Sequence, residues 1–183
     1  MFRRKLKLFD YRIRRQLRDL KIPKGFHILL SLISHTGDSL VVFPLLIILW
    51  WDSGFSITEG PFFILSSSLF ALGITAVVKQ GFKRKRPAGT WGNIYRQTDP
   101  HSFPSGHAAR TAAVALVFMI FFIPVTGALL FLWSLLVGFS RIILGVHFFW
   151  DVMAGFFIGL IAGFVIILLV YFTGTWEVLA FAG

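Results

Sequence analysis

The feature that most limits this chain is a set of apolar runs, near 61–78, 105–122, 126–144 and 148–172, each close to the length that crosses a membrane. A helix rises about 1.5 Å per residue, so roughly 20 apolar residues span a hydrocarbon core of about 30 Å. That core offers the backbone no water, so each N–H and C=O must be satisfied inside the protein, and the runs are expected to be helical. A chain of 183 residues has room for one domain and hardly two, so a single domain over 1–183 is expected. Its mean hydropathy of +0.78 and its 56% hydrophobic content lie outside the range of ordinary soluble domains.

Net charge is +10, a balance that in a soluble protein suggests nucleic acid. The distribution argues against that partner, because the cations gather in two stretches, Arg3 to Lys24 and Lys79 to Arg96. Basic segments beside membrane spans meet anionic headgroups and help set orientation. The chain has no cysteine, which excludes disulfides and thiolate metal sites.

In the first 25 residues Phe9, Ile13, Leu17 and Leu20 recur at helical spacing among Arg12, Arg14, Arg15 and Arg18. This predicts an amphipathic helix lying in the membrane interface, against the plainer reading of a solvated basic tail. No compact apolar core of a signal peptide follows. Two apolar runs, Phe26–Ser34 and Leu40–Trp51, flank His35 to Ser39. The first run is expected to continue the interfacial helix and the span to cover about 37–52; one tilted span over 30–52 is the alternative. The architecture expected is an all-α, polytopic transmembrane helix bundle of five spans plus the interfacial helix, or six spans if 26–36 crosses separately.

Ionisable residues are costly near a bilayer, so those beside the spans carry information. Three groups stand out: Lys79, six residues, Arg86-Pro87; then Pro104-Ser105-Gly106-His107; then Ser140-Arg141, five residues, His147, three residues, Asp151. Consecutive spans alternate in direction. The end of the second, the start of the third, the end of the fourth and the start of the fifth therefore share one membrane face, which gathers all three groups.

Their chemistry suits phosphoryl transfer. Lys79, Arg86 and Arg141 supply cations for three equatorial oxygens, and a guanidinium fork binds two oxygens at once. Ser105-Gly106-His107 opens a helix, where free N–H groups favour an anion and Gly106 permits close approach. His147 and Asp151, four apart, are neighbours on a helix face. A carboxylate on one imidazole nitrogen leaves the other as nucleophile, so His147 is the expected nucleophile, Asp151 its orienter, and His107 the general acid. Arg141 and His147, six apart, would not share a face of one helix, and Gly145 is expected to break it.

These groups resemble the signature of the type 2 phosphatidic acid phosphatase family, K-x6-RP, PSGH and SR-x5-H-x3-D. That superfamily also holds bacterial acid phosphatases and vanadium haloperoxidases. All three motifs match in order between residues 79 and 151, a specific pattern where one motif would be weak. The resemblance implies His147 as nucleophile, Asp151 as its support and His107 as acid. It places Lys79, Arg86, Ser105, Gly106 and Arg141 at phosphate-binding positions, with no metal and no cofactor. It further implies dephosphorylation of a membrane lipid phosphate or diphosphate through a phosphohistidine. Polyprenyl (undecaprenyl) diphosphate, phosphatidylglycerophosphate, phosphatidate and the 1-phosphate of lipid A are admissible substrates, and the compact loop 81–104 favours a polyprenyl diphosphate or a glycerophospholipid phosphate.

The rival readings are a vanadate-dependent haloperoxidase, which vanadate-dependent halide oxidation would reveal, and a non-enzymatic lipid-phosphate binder or transporter, which would release no phosphate. The expected setting is a bacterial cytoplasmic membrane, with lipid as partner and no obligatory protein partner implied. Bacterial membrane members commonly have six spans and an outward site; with five, positive-inside counting puts the site in the cytoplasm. Among the remaining polar residues, Lys83, Arg84 and Lys85 are expected to recruit headgroups or form a solvated loop. His35 and Asp38 are read as a polar helix start before a supporting role at the site. Trp50, Trp51, Trp91, Trp133, Trp150 and Trp176 are read as interface-belt residues. His27 and His101 carry no signal.

Overall fold

The computed structural model describes residues 2–88 and 97–174. Seven helices lie among them: α1 (Phe2–Asp19), α2 (Lys24–Thr36), α3 (Ser39–Asp52), α4 (Gly60–Phe82), α5 (Gly106–Phe121), α6 (Pro124–Ile143) and α7 (Phe149–Phe172). No strand occurs among the described residues; Lys85 and His101 form one isolated antiparallel bridge. Trp91, Arg96 and Trp176 lie outside the described residues.

Helices α4, α6 and α7 are long and apolar enough to cross a membrane. Large apolar side chains face outward from them, including Val77, Leu129, Phe157 and Phe164, as suits a lipid-facing surface. Helix α5 has only 16 residues, about 24 Å, and is the central helix, packed against α4, α6 and α7. Ten of its 16 residues are buried and five of those are alanine, so neighbouring helices, not lipid, cover its flanks.

Two expectations change here. The run 26–36 does not continue the N-terminal helix: α1 ends at Asp19, Pro23 precedes α2, and α2 packs against α6. Proline lacks the N–H and fixes φ, which favours a fresh helix start. Helices α2 and α3 form a pair bent by 46° at Gly37-Asp38, and together they count as a fourth candidate crossing. The buried guanidinium of Arg110 braces that break, donating to the Ser39 hydroxyl and the Gly37 carbonyl.

Helix α1 is present, and its apolar stripe is divided: Phe9 and Leu20 stay exposed, while the middle of the stripe packs on the bundle. Ile13 and Leu17 pack against a cluster formed by Ala108, Ile142, Val152 and Phe156. Phe9 meets Phe149 edge-on at 5.5 Å, and Tyr11 meets Phe148 at 5.6 Å. Among the tryptophans, Trp50 donates to the Ser56 carbonyl and Trp133 to the Thr36 hydroxyl, so these rings are also tied into the bundle.

The α5–α7 contact depends on small residues. A Cβ on Gly159 would sit 2.1 Å from the Ala109 carbonyl oxygen, and one on Gly155 would sit 2.4 Å from that of Ser105. Gly73 in α4 has nothing within 4 Å of its Cβ position. Gly159→Ala should therefore destabilise the protein by about 1–3 kcal/mol. Gly73→Ala should be neutral or stabilising by up to about 1 kcal/mol through helix propensity. Thermal melts of both variants in the same detergent check the contrast.

Candidate active site

The catalytic face is built where α4 and α6 end and α5 and α7 begin. Lys83 closes α4 in the left-handed conformation, turning the chain so that 84–88 runs beside 99–102. Ser102 N–H donates to the Arg84 carbonyl at 2.7 Å and its hydroxyl to the Lys85 carbonyl at 3.3 Å. This pairing presents Arg86 and the Ser102 carbonyl to the same point. Helix α6 stops at Ile143, and the chain turns through Gly145 at φ +74° before α7 starts. The predicted break at Gly145 is thus found, and it lets Arg141 and His147 face one space.

His147 sits in that turn, 1% exposed. Its Nδ1 lies 2.8 Å from the Ser102 carbonyl oxygen, which can only accept, so Nδ1 carries the proton. Nε2 is left with its lone pair and accepts from Arg86 Nη1 at 3.0 Å. The expected orienter differs: Asp151 Oδ2 is 3.7 Å from Nδ1, beyond hydrogen-bond range. Asp151 acts on the backbone instead, accepting from Phe148 N–H at 2.8 Å and receiving Arg84 Nη1 at 2.8 Å. The carbonyl took its place because the bridge between 84–88 and 99–102 carries Ser102 directly over the ring, a long-range contact without a motif.

Burial lowers the His147 pKa to about 4; the charges of Arg86 and Arg141 push the same way, and Asp151 opposes them. The ring is therefore neutral near pH 7. Arg86 is also lowered from its ordinary value, first by burial and then by Arg141, while Asp99 pulls it back.

Lys79 and Arg86 face one carboxylate, that of Asp99. Arg86 donates to it at 2.9 Å and, through Nε, to the Asp99 carbonyl at 2.7 Å. Arg141 is fully buried and donates to the Ser34 hydroxyl at 2.7 Å. The buried Ser105 hydroxyl has no hydrogen-bond partner among the described residues, and its N–H is held by the Asp151 carbonyl at 2.8 Å. Gly106 is not crowded by protein: a Cβ there would meet Thr75 Oγ1 at an ordinary 3.7 Å.

His107 pairs through Nε2 with Asp38 Oδ1, and Asp38 Oδ2 is 2.7 Å from His35 Nδ1. Asp38 does occupy the residue before α3, but its side chain makes no capping bond. The reading of Asp38 as a plain helix start is thus corrected; its carboxylate belongs to the site. Arg84 is also neither solvated nor free for headgroups: it bridges Asp151 and Asp10, the latter at 2.6 Å. The missed residues are Asp10, Asp38, Arg84, Asp99 and Arg110. Asp10 offered one signal, as an acid at the centre of a basic helix; Arg84, Asp99 and Arg110 lie beside motif residues but carry no periodic mark, and Asp38 is far from every motif in the chain.

A family model described as the PAP2 superfamily matches residues 60–174, from α4 to just past α7. Phosphatidylglycerophosphatase B of Bacillus subtilis (strain 168) is 30% identical over 150 residues, covering 73% of this chain and 70% of that protein. The crystal structure of a transmembrane PAP2 type phosphatidylglycerolphosphate phosphatase from Bacillus subtilis superposes with a TM-score of 0.74 at 25% identity, over 88% of this chain and 84% of that one. Aquifex aeolicus LpxE superposes with a TM-score of 0.64 at 26% identity, over 86% and 93%.

The buried neutral ring is directly testable. An unfolded histidine takes its proton near 6.5 and His147 near 4, so this group's contribution to stability is complete above about 6.5 and is lost as pH falls from there towards 4. Carbon-13 labelled histidine spectra, assigned with His147→Gln, should show the His147 ring neutral down to about pH 5. A midpoint near 6.5 would contradict the burial argument.

Proposed function

The chain belongs to the PAP2 superfamily, and from that membership and the geometry of its catalytic face we propose that it is an integral membrane phosphatase that dephosphorylates a lipid phosphate through a phosphohistidine on His147. The observation that carries the reading is the tautomer of His147. A buried ring with Nδ1–H held by a carbonyl and Nε2 pointed at the Arg86 guanidinium, under the added charge of Arg141, is prepared to attack phosphorus.

The proposed first step joins Nε2 to phosphorus and breaks the bond between phosphorus and the leaving oxygen. Lys79, Arg86 and Arg141 balance the charge on the three equatorial oxygens, and the unpartnered Ser105 hydroxyl adds a donor. His107, protonated on both ring nitrogens, gives its Nδ1 proton to the leaving oxygen, and the Asp38 carboxylate on Nε2 offsets the positive charge the ring carries beforehand. In the second step His107 takes a proton from water, the resulting hydroxide attacks phosphorus, and the P–N bond breaks, returning the lone pair to Nε2. Asp151 holds the backbone of the loop that carries His147. No step requires a metal or a cofactor.

Before substrate binds, Asp99 occupies Lys79 and Arg86, so the phosphate must displace it. The substrate class is a lipid whose phosphate reaches headgroup depth. Phosphatidylglycerophosphate leads the candidates because the Bacillus subtilis relative and the Bacillus subtilis crystal structure are named for it, with phosphatidate, lipid A 1-phosphate and polyprenyl diphosphate behind. The whole of 1–183 forms one domain in this reading. The bent α2–α3 pair, α4, α6 and α7 supply up to four crossings by length and composition, and this reading counts the shorter α5 they enclose as a fifth, with α1 at the interface on the side of the site. In a bacterial cytoplasmic membrane, positive-inside counting makes that side cytoplasmic; a single cysteine replacing Lys7, labelled only after the inner face is opened to an impermeant reagent, checks it.

Purified wild type in detergent with EDTA should release phosphate from at least one lipid of that panel. His147→Ala should lose about three orders of magnitude in kcat or more. Asp99→Asn should lower KM by up to about fivefold, because it removes a partly exposed competing ion pair. Equal release by wild type and His147→Ala would remove His147 as nucleophile.

A further inference from the structure

Helix α1 is charged on nearly every turn, yet one acid in it is buried. Asp10 is 2% exposed. A helix that merely lay on a membrane would leave this carboxylate in water, where it costs nothing. Burial instead raises its pKa from the ordinary value, and Arg84 and the Trp150 N–H pull it back. A group kept inside at that cost is usually held for what it contacts.

Its contacts lead to the loop that carries His147. Asp10 Oδ1 accepts from Trp150 N–H at 3.2 Å, one of the donors of the first turn of α7 that have no intrahelical partner. Asp10 Oδ2 meets Arg84 Nη2 at 2.6 Å, and the other arm of that guanidinium meets Asp151 Oδ1 at 2.8 Å. Asp151 Oδ2 in turn holds Phe148 N–H. Arg84 also lies over the Phe148 ring, 4.1 Å from its centroid. The same helix covers the other side of the loop: the Arg14 guanidinium sits against Gly145 and donates to the Ala88 carbonyl at 3.2 Å. Thus α1 touches the turn before His147, the three residues after it, and the strand-like segment that carries Arg86.

We propose that Asp10 and Arg84 are positioning residues for the nucleophile, and that docking of α1 through the chain Asp10–Arg84–Asp151 holds the 145–151 loop in its reactive geometry. The inference rests on the assignment of His147 as nucleophile. Neither residue reaches the phosphate site; Arg84 acts through Asp151, and Asp10 acts through Arg84 and the Trp150 N–H. The lysines around them, Lys7, Lys83 and Lys85, line a groove of about 680 Å³ outside the catalytic residues and take no part in the chain.

The test uses the full-length protein in detergent with the best lipid phosphate. Displacement of a reacting group by about 1 Å costs up to about 100-fold, so Asp10→Asn should lower kcat by about 10- to 100-fold with KM changed less than about twofold. Asp10→Glu should recover most of that loss. Because one chain is broken in either place, Asp10→Asn added to Arg84→Met should cost no more than about a further twofold. Unchanged kcat in a folded Asp10→Asn would overturn the proposal, as would losses that multiply in the double variant. A rise in KM at constant kcat would assign α1 to recruiting lipid instead. If Asp10→Asn loses its thermal melt, Arg84→Lys is read instead, since it keeps the charge but cannot hold both carboxylates, and full kcat in that variant would equally overturn the proposal. Wild type and His147→Ala are run alongside. An inactive wild type rejects the activity itself, whereas an active wild type, a dead His147→Ala and an undisturbed Asp10→Asn reject only the positioning role.

Discussion

One hydrogen bond, from Nδ1 of His147 to the carbonyl of Ser102, sets what the rest of the catalytic face can do. It decides which nitrogen keeps a lone pair, and it points that nitrogen at Arg86. The bond exists only because the segment after α4 folds back along 99–102, which needs Lys83 in the left-handed conformation and the Ser102–Arg84 pairing. A backbone carbonyl has an advantage over a carboxylate in this place. It fixes the tautomer without adding a second negative charge to that of Asp151, 3.7 Å from Nδ1, and burial still keeps the pKa low. Asp151 is thereby free to hold the loop backbone rather than the ring.

The second constraint is that an apolar bundle admits charge only where each charge is met. Arg84 lies between two carboxylates, Arg110 braces the carbonyl and hydroxyl at the α2–α3 break, and Asp38 faces two histidines. Removing one member of such a buried set generally costs several kcal/mol, because its partner is left uncompensated. These groups are concentrated at one end of the helices, while the outward surface of the bundle is lined with large apolar side chains. The close α5–α7 crossing at Gly155 and Gly159 fixes the start of α5, and with it His107, relative to the loop that carries His147.

Much of this was legible in the sequence, for identifiable reasons. The long apolar runs define α4, α6 and α7 by length alone, and alternation of direction is enough to gather Lys79, His107, Arg141 and His147 at one end. Gly145 marked the break between α6 and α7 because only a turn lets Arg141 and His147 face the same space. What escaped was set by contacts between distant segments. Asp38 looked like a cap because caps are local, whereas its partner, His107, is 69 residues away. Arg84 looked solvated because its neighbours are lysines; its partners come from α1 and α7. The amphipathic stripe of α1 was visible, but periodicity cannot tell a membrane from a protein surface, and here Ile13 and Leu17 pack on the bundle. The α2–α3 bend was hidden because neither run alone is long enough to declare a span.

The central claim, that His147 Nε2 takes the phosphoryl group, is tested most directly by trapping the intermediate. Wild-type protein would be mixed with a lipid carrying a radiolabelled phosphate, quenched in alkali within the first turnovers, and mapped by peptide. The account predicts label that is stable to alkali and labile to acid, on the peptide containing His147, attached at Nε2, and absent from His147→Ala. Rapid turnover with no protein-bound label, or label that persists in His147→Ala, would contradict it.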